Sequence, residues 1–151
     1  MPRLTLADAR TIGDAALAEA FRVSAKPLCV TILDSGGHVL VTLRDERASL
    51  FRADIAGAKA MSVVGMGFGG RTLAARAQQS PAFFAALTVV TGGQIVPVPG
   101  GVLIRDAHGE IVGSAGISGD TSDVDEACAV AGIAAAGLIA DTGEAAAKDK
   151  S

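Results

Sequence analysis

The residues of this 151-residue chain that could carry polar chemistry fall in three places. The first is a glycine loop, Gly65-Met66-Gly67-Phe68-Gly69-Gly70, running into Arg71-Thr72. Backbone N–H groups at a helix start, beside a guanidinium, form a cradle for a carboxylate or phosphate. The competing reading is that the glycines only let the chain turn between two packed helices. Gly65, Gly67 and Gly70 also satisfy G-x-G-x-x-G, but dinucleotide binding requires a preceding strand and an acid about 20 residues on. The segment before the loop reads as helix and the next acid is Asp106, so that reading is rejected. The second place is a set of carboxylates, Asp45, Glu46, Asp54 and the acids around Asp120, that could act as general bases. Their spacing distinguishes none of them. The third is a pair of turn histidines, His38 and His108, both expected to be solvated.

Other chemistries lack their residues. No nucleophile elbow, HExxH or phosphate loop is present. Cys29 and Cys128 fit no metal spacing and read as buried small hydrophobes in a reducing compartment. The N-terminal MPRLTLADAR has no apolar stretch of secretory length, which predicts a cytoplasmic protein. The apolar run 127–140 is too short and too rich in Ala and Gly to span a membrane.

The net charge of −3 is unevenly placed. Residues 1–54 balance, with seven acids and seven bases. Residues 55–105 contain Lys59, Arg71, Arg76 and Arg105 and no acid, whereas residues 106–151 hold nine acids against Lys148 and Lys150. Four scattered bases without interleaved aromatics make no nucleic-acid footprint. Either they bind one small anion or they pair with acids of the flanking blocks.

Positioning these residues requires a small α+β domain. Half the residues are hydrophobic, which excludes a disordered chain. Thr5 with Asp8 predicts a helix start, and apolar residues from Leu6 to Val23 follow at helical spacing. Segments 28–34 and 38–44 around Ser35-Gly36-Gly37 predict a hairpin. Helices are predicted over 52–64, from Thr72, and for one turn after Ser80-Pro81. Residues 94–99, with Pro97 and Pro99, read as an edge strand or a loop. Segments 102–106 and 110–118 predict an antiparallel pair. A last helix runs from Thr121 or Ser122 to Ala140, followed by a frayed tail over 142–151. The predicted order, α-β-β-α-α-β-β-β-α, describes one domain over 1–151 in which helices pack on an antiparallel sheet.

Residues 92–135 resemble the GlcG/HbpS family, also called DUF336 or the haem-degrading domain. The resemblance rests on Gly100-Gly101-Val102, the turn from Asp106 through Gly109, the strand from Val112 through Gly119, and Thr121 with Asp125-Glu126. Upstream, Asp54-Ile55-Ala56, Lys59-Ala60 and Arg71-Thr72 are similar too, so it extends over about 4–138. It implies a profilin-like α+β fold that forms homo-oligomers, and a small anionic ligand, with haem as one candidate. The chain's choices for an iron ligand are His38, His108, Met61, Met66 and Thr72, and no other metal is implied.

Three roles follow as expectations. In the first, the chain binds an anion of the haem type, and degrades it in some relatives, in a positively biased glycine-rich pocket. Lys59 and Arg71 would meet carboxylates, Thr72 would offer a hydroxyl, Phe68 and Phe84 apolar walls, and Gly100, Gly101 and Thr121 the remaining contacts. In the second, a cofactor-independent isomerase, tautomerase or lyase acts on a small organic acid, with Asp45 or Asp54 as base. In the third, the chain is a structural oligomer subunit that uses the Ala/Gly face of 127–140. No nucleic-acid or membrane partner is expected in any of them.

Overall fold

The computed structural model of the chain describes residues 3–143. Helix α1 (Leu6–Arg22) starts where expected: the Thr5 hydroxyl oxygen accepts the Asp8 N–H at 3.0 Å. Strands β1 (Cys29–Asp34) and β2 (Val39–Arg44) form the first hairpin. Helices α2 (Arg52–Met66), α3 (Gly70–Gln79) and α4 (Pro81–Val90) follow in succession. Strands β3 (Gly101–Arg105) and β4 (Ile111–Ser118), helix α5 (Ser122–Ala135) and the short strand β5 (Ile139–Asp141) complete the chain. The strands make one antiparallel sheet in the order β2-β1-β4-β3-β5.

Alternation along the strands sorts residues between two helical layers. Val30, Ile32, Val102, Ile104, Ala115 and Ile117 point to one face and join Ile12, Ala16, Ala129 and Ile133 of α1 and α5 in a buried core. The opposite face carries small residues, and α2 lies almost on the backbone there. The Ser114 hydroxyl donates to the Ala60 carbonyl at 2.8 Å. A second buried cluster, Val63, Leu73, Phe84, Ile95 and Leu103, fixes α3 and α4 beside α2.

The structure corrects two expectations and decides between the two alternatives of a third. Helix α4 runs ten residues, because Phe84 and Leu87 pack one turn apart into the second cluster. Residues 94–99 belong to no strand of the sheet; Pro97 and Pro99 lack the N–H donors a ladder needs. The last helix stops at Ala135 and does not reach Ala140. Gly137, at φ 73°, turns the chain back so that residues 139–141 pair with the otherwise open edge of β3. The order is therefore α-β-β-α-α-α-β-β-α-β.

The Ala/Gly run is used inside the fold. Gly132 rides against the Ile12 carbonyl, so α5 lies on α1 and its small-residue face is covered there. Thr142 and Gly143, the first residues of the expected tail, are tied to α3, and the remainder lies outside the described residues. Among the described residues no helix is long and apolar enough to cross a membrane.

Candidate functional site

Helix α2 ends because Gly67 takes a left-handed φ of 78°, its N–H bonded to the Val63 carbonyl at 2.8 Å. The next two glycines are needed for close approach. A Cβ at Gly70 would lie 2.7 Å from the Val98 oxygen and 2.8 Å from the Gly101 oxygen, and one at Gly69 would strike the Thr142–Gly143 backbone. The start of α3 is thus wedged against the chain's own last strand. The Arg71 N–H donates to the Thr142 carbonyl at 3.0 Å, and the Thr72 hydroxyl to the Gly143 carbonyl at 3.3 Å. The loop is a packed turn, and the Arg71 N–H at its helix start is already used internally.

Beside this wedge lies a groove of about 530 Å³, a volume in the range of small-ligand sites. Thr72, Ala75, Arg76 and Gln79 line it from one face of α3, at i, i+3, i+4 and i+7. Phe68 and Arg71 border it from the loop side, Arg105 and Asp141 from the sheet. A second hollow of about 160 Å³ adjoins it, with Phe68, Arg76 and Gln79 as common wall and Met66, Phe83 and Phe84 as apolar lining. Phe84 is buried there, edge-on to Phe83 at 5.7 Å.

Of the four cations in 55–105, three pair with acids of the C-terminal block. Lys59 Nζ donates to Asp125 Oδ2 at 3.2 Å and to the Ile117 carbonyl at 2.9 Å, with side-chain exposures of 5% and 1% for the pair. Arg105 Nε meets Asp141 at 3.0 Å. Arg71 Nη2 meets Asp123 at 2.8 Å, and its Nε and Nη2 donate to Glu126 Oε1 at 3.2 and 3.0 Å. Glu126 Oε2 also lies 2.9 Å from Arg71 Nε, an ion contact without hydrogen-bond geometry, which leaves that buried oxygen without a donor. These bonds raise the Arg71 pKa further, Glu126 first and Asp123 second. Arg76 differs. Its guanidinium lies 4.2 Å from the centre of the Phe68 ring, and among the described residues it has no acidic partner.

The structure therefore gathers Phe68, Arg71 and Thr72 at the groove, with Phe84 in the adjoining hollow. Lys59, Gly100 and Gly101 lie together and do not line the groove; Gly100 and Gly101 pass so close to Lys59 that a Cβ on either would press on that residue. Thr121 caps α5, accepting the Val124 N–H at 3.3 Å. Asp54 is exposed in the first turn of α2, outside the groove. Asp45 is held by Arg47, whose side-chain and backbone hydrogen bonds pull its carboxyl down to about 2. So low a value makes a weak base. Replacing Arg47 with Ala should return Asp45 toward the ordinary carboxylate range in an NMR titration; an unmoved midpoint would assign the depression to other groups.

Among the residues weighed as iron ligands, Thr72 lines the groove and Met66 the apolar hollow. His38 lies 3.3 Å from Asp34 at a separate hollow of about 500 Å³ on the hairpin, and His108 is exposed in its turn. Met61 packs toward Gly37 of that hairpin. Among the described residues no group of three His, Cys, Asp or Glu could hold a metal ion. Charge alone puts Arg76 and Arg105 among four bases that could bind an anion without singling either out, and it gives no reason to expect Asp141 or Gly143 at the site. Stepping one helical turn on from Thr72 reaches Arg76, a signal present in the sequence. Nothing local announces the pairing that brings β5 to the groove.

Comparison with known proteins sets this geometry in context. The family model described as haem degrading protein HbpS-like matches residues 4–134. The crystal structure of a PduOC–haem complex is similar at TM-score 0.82 and 28% identity, covering 91% of this chain and 97% of that one. HbpS of Streptomyces reticuli, solved as a double mutant, is similar at TM-score 0.76 and 30% identity, covering 89% of this chain and 87% of that one. Klebsiella pneumoniae protein ORFY, of the DUF336 family, shares the fold at TM-score 0.81 and 22% identity over 91% of this chain and 93% of its own. Among curated proteins no match was found. With the family match spanning nearly all of the described residues, and with the α+β fold common to these relatives, the chain belongs to the HbpS-like family.

Proposed function

We propose that the chain binds a small amphipathic anion of the haem type in the groove of α3, its apolar body reaching the hollow beside Phe83. The observation that carries this reading is Arg76, a cation without an acidic partner among the described residues, laid over Phe68 on the wall shared by a polar groove and an apolar hollow. A guanidinium backed by an aromatic ring is fixed in direction and remains free to hold a carboxylate. The similarity to a domain crystallised with haem supports the same ligand class.

The residues present fit such a group in its polar rim and flat walls. Arg76 would hold a propionate, Phe68, Met66 and Phe83 would meet the macrocycle, and Thr72 or Met66 would be the nearest donors to iron. When bound, haem supplies a redox-active iron. The protein's part is to orient the group and shield one face from water. Since neither histidine lines this groove, carboxylate and apolar contacts carry most of the affinity.

Titration with hemin, read from the Soret band, tests the reading. The wild-type chain should shift the band, and Arg76→Ala should weaken binding about tenfold, the scale of a lost hydrogen bond to a charged group. Arg76→Lys should recover only part, because an ammonium lacks the planar fork. A band that stays at the free-hemin position with the wild type sinks the haem-type ligand. Unchanged affinity in Arg76→Ala moves the site away from α3.

A further inference from the structure

Arg71 is the second cation on the groove that could meet a ligand carboxylate, and two carboxylates of the chain already engage it. Asp123 and Glu126 stand three residues apart in the first turns of α5, on one side of the helix. They differ sharply in burial. Glu126 is 10% exposed and takes hydrogen bonds from both Nε and Nη2, whereas Asp123 is 79% exposed and takes one, from Nη2 at 2.8 Å. Removing a buried ion partner leaves a desolvated charge behind, while an exposed pair contributes little because water and salt compete for both ends. Arg71 itself is 34% exposed and borders the groove.

We propose that Asp123 is a tethered competitor for the ligand: an incoming carboxylate takes Arg71 Nη2 from Asp123, while Glu126 keeps the guanidinium in place. The proposal rests on reading the groove as an anion site. It names Asp123 as the residue that sets selectivity. A lone carboxylate must displace one already positioned at the same donor and gains little by doing so. A ligand with a second hold, either an apolar body on Phe68 or a second carboxylate for Arg76, gains enough to win the exchange. The groove would thus reject simple acids such as acetate and admit flat aromatic acids and dicarboxylates. No covalent bond is made or broken, and the Asp123 side chain turns to water.

The test uses the full chain labelled with ¹⁵N. The Arg71 Nε–Hε signal is followed while benzoate, an aromatic monocarboxylate, is added to the wild type, Asp123→Asn and Asp14→Asn. Asp14 is exposed on α1 and does not line the groove, so its variant reproduces the change in net charge alone. Benzoate should move the Arg71 signal in the wild type, and Asp123→Asn should bind it about two- to fivefold more tightly, the range set by one exposed ion pair. Asp14→Asn should match the wild type, and the gain in Asp123→Asn should shrink as salt is raised. Binding in Asp123→Asn equal to or weaker than in the wild type would overturn the proposal. An equal gain in Asp14→Asn, or an Arg71 signal that benzoate never moves, would do the same. Hemin titration of the same three proteins separates the two ideas. If hemin fails to bind while benzoate still competes with Asp123, the haem-type reading falls and the competition stands.

Discussion

Replacing Lys59 with Met should destabilise the chain by about 3–5 kcal/mol near neutral pH, the usual cost of removing one partner from a buried ion pair. The ammonium is enclosed by α2, β4 and α5, and its loss strands the Asp125 carboxylate and removes a donor from the Ile117 carbonyl. Burial already pushes the Asp125 carboxyl above its ordinary value, against the lowering effects of the Asp120 N–H bond and of Lys59. A carboxyl raised in the folded state binds its proton more tightly folded than unfolded. Its contribution to stability is therefore best at low pH and declines as pH rises through the interval from the unfolded to the folded value. Without Lys59 that interval widens upward. The penalty of Lys59→Met relative to the wild type should accordingly be large at about pH 7 and clearly smaller at about pH 4.5. Working with the difference removes the opposite acid sensitivity of Asp34 and Asp120, whose carboxyls are held low by backbone N–H bonds. Urea unfolding at both pH values checks this. The double variant Lys59→Met/Asp125→Asn should regain most of the loss, because an amide needs no counter-charge and can still accept the Asp120 N–H. A penalty of equal size at both pH values, or no recovery in the double variant, would show that the stranded carboxylate is not the cause.

A comparable loss, about 3 kcal/mol, is expected from Gly116→Ala, at the upper end of ordinary overpacking. A Cβ at this position would run into the Ala56 carbonyl oxygen, with the Ala60 nitrogen at 2.6 Å and the Ala60 Cβ at 3.0 Å. The obstacle is helix backbone, so no rotamer change relieves it. Either α2 lifts from the sheet or β4 bends, and both movements disturb the Ser114–Ala60 hydrogen bond and the Lys59 pair. Gly57→Ala, in the same helix α2, is the contrasting case. Nothing lies within 4 Å of a Cβ there, and alanine should stabilise the helix by roughly 0.5–1 kcal/mol. Chemical denaturation of the two variants should give shifts of opposite sign. A neutral Gly116→Ala would mean that α2 and the sheet are less tightly apposed than the structure has them.

Much of this architecture was legible because it depends on local order. Thr5 and Asp8 announce α1, the glycine turns announce both hairpins, and Pro81 announces the start of α4. The small residues of β4 and of the Ala/Gly run let α2 and α1, respectively, lie close against them. The length of α4 was hidden because its apolar residues resemble a strand as much as a helix, and only the contacts of Phe84 and Leu87 with α2 and β3 decide between them. The end of α5 was hidden because an alanine run has no reason to stop until Gly137 turns it.

Charge shows the same division at the site. The sequence alone determined that residues 55–105 carry only positive charge and residues 106–151 mostly negative. It also placed Phe68, Arg71 and Thr72 together at a helix start and supplied the motifs of the family. Tertiary structure alone decided which cation meets which acid. Lys59 is buried on Asp125, Arg71 is shared by Glu126 and Asp123, Arg105 is met by Asp141, and Arg76 stands over Phe68. Charge composition is a sum along the chain, whereas pairing and burial depend on distances between elements 36 to 66 residues apart, which only the antiparallel sheet and its helical layers set.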